Sequence, residues 1–183
     1  MANVKSPPPV YECRILKVFE EEVTLPDGRT SRQCRIEHPP CIAAVPVDGD
    51  RRIVLVRQYR HAVGRFLLEL PAGSLDEEEE SVEACVQREL AEEIGYQAGR
   101  LVKLFAGYLV PGYCNEYMHY YLALDLFPAS LPPDDDEDIE TVRISQKDAR
   151  EMIQDGKICD SKTALGLLMA LEYLSAEGSV STL

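Results

Sequence analysis

Residues 87–96 read QRELAEEIGY, with Glu89, Glu92 and Glu93 inside five positions, Arg88 in front and Gly95 behind. Apolar residues at 86, 90 and 94 recur every four positions, which predicts a helix. Ser81 begins that helix, Ile94 ends it, and Gly95 is the C-terminal stop. At roughly 100° per residue, Glu89 and Glu93 fall about 40° apart, and Glu92 lies about 60° to the other side of Glu89. All three share one edge, bordering the sector of Val86, Leu90 and Ile94. Two unit charges 6 Å apart repel by roughly 3 kcal/mol at an effective dielectric near 20. Most glutamate clusters are solvated faces. This one borders the apolar stripe, and a hard divalent cation offsets such charge well, because Mg²⁺ prefers carboxylate oxygen.

Working outward, the chain of 183 residues is long enough for one domain with a sizeable core. A formal net charge of −13 argues against non-specific binding to nucleic acid or to an anionic membrane. An anionic small molecule then requires a local arginine cluster, metal ions, or both. No apolar run approaches a membrane span, and MANVKSPPPVYECR lacks the apolar core of a signal peptide. Six cysteines without a C-x-x-C pair point to reduced thiols in a cytoplasm, not to disulfides or a zinc site.

Residues 11–19 and 29–36 flank LPDG at 25–28, a strong turn, and predict an antiparallel hairpin. CIAAVPV (41–47) and RIVLVRQY (52–59), around DGD, predict a second, mostly buried hairpin. FLLEL (66–70) is a short strand running into Pro71, Ala72 and Gly73. After the acidic helix, RLVKLFAGYLV and EYMHYYLALDL read as strands joined by PGYCN. An acidic loop follows, then the strand IETVRI. Ser145 with Asp148 caps a helix through Ile153, and Asp160 or Ser161 caps a last helix to about Leu174. The class is α+β, a mixed sheet with helices on its faces.

The segment ELPAGSLDEEEESVEACVQRELAEEIGY (69–96) resembles the Nudix box, G-x5-E-x7-R-E-U-x-E-E-x-G-U with U a bulky apolar residue. Arg88, Glu89, Leu90, Glu92, Glu93, Gly95 and Tyr96 match it position by position. The loop after Gly73 holds one residue more than the pattern, so either Glu79 or Glu80 fills the upstream glutamate position. The resemblance implies a Nudix fold, with a mixed sheet sandwiched between helices and an N-terminal antiparallel hairpin subdomain. It implies Mg²⁺- or Mn²⁺-dependent hydrolysis of a diphosphate joined to a further group. Glu89, Glu92, Glu93 and the Ala72 carbonyl would be the metal ligands, with Arg88 orienting the glutamates.

Pro111, fifteen residues after Tyr96, VRQYR (56–60) and GKICDSKTALGLLMAL (156–171) are similar to the ADP-ribose and ADP-sugar pyrophosphatase branch. That resemblance implies AMP and a sugar phosphate as products, with GDP-mannose or ADP-glucose as rival substrates. A non-catalytic sensor of ADP-ribose is the rival from another class. Arg60 would meet a substrate phosphate, or else pair with Glu69. Gly73 and Glu69 would lie at the substrate, and Glu116 would touch the ribose side or close its loop. The general base would come from DDDEDIE (134–140): Glu137 first, Asp135 second, unless that loop merely solubilises.

By the same resemblance, residues 1–9 are a flexible arm and 10–38 an N-terminal subdomain exchanged across a homodimer. Residues 39–177 are the hydrolase domain and 178–183 a tail. Arg32, Arg35 and Glu37 would reach base or ribose, with Tyr11, Phe19 or Tyr113 stacking on adenine. His38, His61 and His119 are isolated in the sequence and read as strand or turn residues, not ligands. The partner is a small nucleoside diphosphate sugar, not nucleic acid or membrane.

Overall fold

The structure is a computed structural model that describes residues 7–75, 80–132 and 139–180. Three strands, β1 (Tyr11–Glu12), β2 (Lys17–Thr24) and β3 (Thr30–Glu37), form an N-terminal antiparallel sheet in the order β1-β2-β3. The expected turn joins β2 to β3, with Gly28 N–H donating to the Leu25 carbonyl at 2.9 Å. The first expected strand is interrupted at residues 13–16 and resumes as β2. The sheet is tied to the body through Ile36, whose N–H donates to the Tyr113 carbonyl at 2.7 Å.

The body holds β4 (Cys41–Pro46), β5 (Ile53–Arg60), β6 (Arg65–Glu69) and β7 (Ala72–Ser74), then α1 (Val82–Glu93). Next come β8 (Tyr96–Tyr108), β9 (Tyr117–Pro128), β10 (Ile139–Ile144), α2 (Gln146–Gln154) and α3 (Ser161–Val180). One sheet runs β10-β5-β6 and the other β7-β4-β9-β8.

The expected hairpin of residues 41–47 and 52–59 does not form. β4 pairs in parallel with β9 and antiparallel with β7, while β5 lies between β10 and β6. The two strands meet at the Val47–Ile53 bridge and then diverge into separate sheets. Both are apolar on both faces, from Cys41 to Val45 and from Ile53 to Val56. Strands of that composition take interior positions, and here each edge is claimed by a strand distant in sequence.

Alternation along β4 builds two cores. Cys41, Ala43 and Val45 face Leu167, Ala170 and Leu171 of α3 and Ala149 of α2. Ile42 and Ala44 face Cys85, Val86 and Leu90 of α1 and Ile94 just after it. β9 alternates likewise, with Met118 and Tyr120 on the α3 side and Tyr121 on the α1 side. The sheets therefore lie between α1 on one face and α2 with α3 on the other.

Candidate active site

Helix α1 starts where Ser81 accepts a hydrogen bond from the Ala84 N–H at 3.1 Å, satisfying an otherwise orphaned donor. It stops at Gly95, whose φ of 74° is the left-handed region that glycine enters without steric cost. Fully buried Val86 and Leu90, at about 1.5–3 kcal/mol each, hold the helix against the sheet. This seating carries the neighbouring edge inward. Glu89 is 9% exposed and Glu93 8%. Buried carboxylates are costly unless partnered, so their surroundings decide what the edge is for.

Strand β7 lies along that edge. Ala72 N–H donates to Glu93 Oε2 at 3.2 Å. Gly73 packs so closely on Glu89 that a Cβ at position 73 would overlap its carboxylate. Arg88 donates from Nε and Nη2 to Glu80 at 3.0 and 3.1 Å, and from Nη1 to Glu89 at 2.8 Å and Glu92 at 3.0 Å. It also donates to the Ser74 carbonyl at 3.3 Å. The Glu80 bonds, first, and burial opposing them leave its guanidinium more firmly protonated than usual. Among the described residues, Glu80 is an upstream glutamate that engages the helix arginine, and Glu79 lies outside them. So do Glu137 and Asp135, the expected bases.

A second charged group closes the end of β6. Arg60 grips Glu69 through Nε at 2.7 Å and Nη2 at 2.8 Å, and Lys162 Nζ donates to Glu69 at 2.6 Å. Burial pushes the Glu69 carboxyl up, but Arg60 and Lys162 outweigh it and hold it below the usual carboxylate range. Lys162 also donates to Asp160 at 2.8 Å. Asp160 accepts from the Thr163 N–H at 3.0 Å and so caps α3. Thr163 Oγ1 accepts from the Leu70 N–H at 2.9 Å. The segments around residues 69 and 160 are therefore bolted together. Sequence reading reached the Arg60–Glu69 pair as one of two options. It missed Lys162, whose only local signal is the polar run Asp160–Thr163.

The N-terminal candidates sit elsewhere. Arg32 pairs with Glu20 at 2.7 Å. Arg35 pairs with Glu21 and Glu37 at 3.0 and 2.6 Å and lies over the Phe19 ring at 4.3 Å. Glu21, Arg35, Tyr108, Pro111 and Tyr113 line a cleft of about 370 Å³, within the size range of small-molecule sites. Tyr113 is exposed in it, whereas Phe19 is buried beneath Arg35 and Tyr11 is exposed on β1. Glu116 lies beside His38 and Cys41, so His38, isolated in sequence, has close neighbours in space. His119 and Tyr117 stack edge to face at 5.2 Å, and burial lowers the His119 pKa.

These chemical groups can hold a divalent cation. Glu89, Glu92 and Glu93 offer oxygen donors on one edge, and Gly73 gives Glu89 room. Arg88 brings a single positive charge to Glu80, Glu89 and Glu92.

Residues 37–161 match the NUDIX domain family. The chain is 33% identical over 167 residues to the ADP-ribose pyrophosphatase of Bacillus subtilis (strain 168), covering 90% of this chain and 88% of that one. It is 32% identical over 180 residues to the GDP-mannose pyrophosphatase of Klebsiella pneumoniae, covering 91% and 87%. A solved structure of an ADP compounds hydrolase superposes with a TM-score of 0.83 at 26% identity, covering 93% of this chain and 92% of that one.

Proposed function

Because the chain belongs to the NUDIX domain family, we propose that it hydrolyses the diphosphate bond of ADP-ribose, or a related nucleoside diphosphate sugar, with Mg²⁺ or Mn²⁺. Water adds to one phosphorus, the P–O–P bridge breaks, and AMP and a sugar phosphate leave. The observation that carries this reading is the pair of buried carboxylates, Glu89 and Glu93, set beside the backbone of Ala72 and Gly73.

Glu89, Glu92 and Glu93 would hold the cation, with the Ala72 carbonyl as a further oxygen donor. A cation bound there would neutralise charge at the phosphoryl oxygens and make water a better nucleophile. Arg88 is a positioning residue: it is engaged with Glu80, Glu89, Glu92 and the Ser74 carbonyl and sets the carboxylates in place. Arg60, clamped on Glu69 but 41% exposed, would present its outer face to a substrate phosphate. Glu137, with Asp135 second, would take the proton from water. The described chain before that segment is anchored to the acidic helix, Leu131 N–H donating to the Ala91 carbonyl at 3.2 Å. Arg35, Glu37 and Tyr113, together with Arg32, would meet the base and ribose.

Val10, Tyr11 and Ile15 are exposed on the N-terminal segment, which supports a homodimer in which this sheet is exchanged. A monomer in sedimentation would refute that. No helix among the described residues is long and apolar enough to cross a membrane, and all six cysteines are free thiols. A reducing cytoplasm suits them.

The test is incubation with ADP-ribose, ADP-glucose and GDP-mannose in turn, with Mg²⁺ or Mn²⁺, followed by chromatography of the nucleotides. AMP from ADP-ribose at the highest kcat/KM is the expected result. GMP released fastest from GDP-mannose would move the assignment to that substrate. Tight binding without any monophosphate would make the protein a sensor, a reading the intact Glu89, Glu92 and Glu93 oppose.

A further inference from the structure

The topology assembles a second donor set, made of other residues, one ladder pair along β4–β7 from the Gly73–Glu89 contact. β4 and β9 run parallel with Cys41 opposite Met118, so the starts of both strands lie at one end of the sheet. Cys41 opens β4, His38 precedes it by three residues, and Glu116 immediately precedes β9. One ligand atom from each of His38, Cys41 and Glu116 lies within 4.8 Å of the other two. Cys41 is buried, while His38 and Glu116 are half-buried, so the group opens on one side. The His38 backbone is held in place, its main-chain N–H donating to Asn115 Oδ1 at 2.8 Å. The Ser74 hydroxyl lies 3.5 Å from Cys41 Sγ.

We propose that His38, Cys41 and Glu116 bind a thiophilic divalent cation of the Zn²⁺ class, at a site distinct from the glutamates of α1. An imidazole, a thiol and a carboxylate form a mixed N, S, O set that suits Zn²⁺, whereas Mg²⁺ takes oxygen. Tetrahedral Zn²⁺ with bonds of 2.0–2.3 Å separates its ligand atoms by roughly 3.3–3.8 Å. His38 Nδ1 and Cys41 Sγ are 3.6 Å apart. The wider separations close by about 1 Å, within reach of carboxylate rotation. His38 Nδ1 also lies 2.8 Å from the Pro39 carbonyl, an interaction given up if that nitrogen is the ligand. Burial pushes the Cys41 thiol up to about 12, so loading exchanges that proton for the cation. Three protein donors leave a fourth position for water.

The site is coupled to the fold around it. Cys41 pairs with Ser74 in the β4–β7 ladder, next to the Ile42–Gly73 pair that carries the Glu89 contact. Glu116 ends the loop that lines the cleft beside Arg35, and its backbone carbonyl accepts from the Leu109 N–H at 3.2 Å. A cation here therefore fixes the root of that loop.

Co²⁺ added to the full-length, metal-stripped protein tests the site without any assay of turnover. With excess Mg²⁺ present to fill the α1 glutamates, a thiolate-to-cobalt charge-transfer band with intense visible bands is expected, saturating at one equivalent and bleached by Zn²⁺. Cys41→Ser should abolish the charge-transfer band. Glu116→Gln, on a half-buried residue, should weaken Co²⁺ binding by at least about tenfold and serves if Cys41→Ser does not fold. Cys159→Ser and Glu93→Gln should leave the band in place. Absence of the band from the unaltered protein, or its survival in Cys41→Ser, would overturn the assignment. None of these results bears on the hydrolysis reading, which rests on other residues.

Discussion

Gly73 and Glu89 touch backbone to carboxylate, with no space between them for a side chain at position 73. Two segments sixteen residues apart are thereby fixed to within a contact distance, and the acidic helix edge is held against β7. The relationship makes the glycine a requirement of the site, not of a turn.

Gly73→Ala should therefore displace Glu89 and weaken metal affinity by roughly 10–100-fold, with far-UV circular dichroism unchanged. Gly49→Ala is the control. A Cβ there meets nothing within 4 Å, so its effect should stay within about 0.5 kcal/mol. Isothermal titration with Mn²⁺ measures the difference. Equal affinities in the two variants would detach Gly73 from the metal site.

Glu93→Gln keeps the shape of the side chain and its acceptance from Ala72 N–H while removing a charge. Turnover of the diphosphate should fall by about 10²–10³, with the melting temperature steady or raised because a buried charge is gone. Single-turnover kinetics at saturating Mg²⁺ provide the check. Undiminished turnover would show that Glu93 is no ligand.

Arg88→Ala leaves Glu80, Glu89 and Glu92 without their shared guanidinium, and should cost about 3–5 kcal/mol in urea unfolding. Arg88→Lys should recover part of the stability but lack the two-point grip on Glu80. Added Mg²⁺ should raise the melting temperature of Arg88→Ala more than that of the parent, since the cation replaces lost positive charge. If Arg88 instead binds substrate, KM would rise with stability unchanged.

Acid should undo the β6–α3 clamp. Glu69 has its pKa lowered from 4.5 in the folded chain, so the stability it contributes is fully present above that value. It is lost as pH falls through the lower, folded value, because the unfolded state then binds the extra proton first. Thermal melts should hold steady near neutrality and fall below about pH 4.5. Glu69→Gln should be less stable at neutral pH and show a shallower acid limb. An unchanged acid limb would mean that other carboxylates dominate.

Arg35→Ala tests the cleft between the N-terminal sheet and the loop at 111–115. Substrate KM should rise several-fold with kcat unchanged, the signature of lost uniform binding. Stability should drop modestly, because Arg35 also covers Phe19. A fall in kcat at constant KM would place Arg35 in the chemistry instead.

What the sequence determined by itself was local. The acidic helix, its Ser81 start, its Gly95 stop and the shared edge of Glu89, Glu92 and Glu93 follow from spacings of three and four residues, which helical geometry converts directly into direction. The Ser145–Asp148 capping box is of the same kind and forms as read. Tertiary structure decided whatever depended on strand partners. β4 and β5 do not pair with each other, because strands far along the chain take their edges. Glu80 meets Arg88 across a loop whose length no periodicity fixes. Lys162 finds Glu69 across 93 residues, and Glu116 reaches His38 and Cys41 through the parallel register of β4 and β9. Side-chain direction within one helix is set by its own backbone. Proximity between elements is set by which hydrophobic faces and hydrogen-bonding edges are satisfied together, and that is a property of the whole chain.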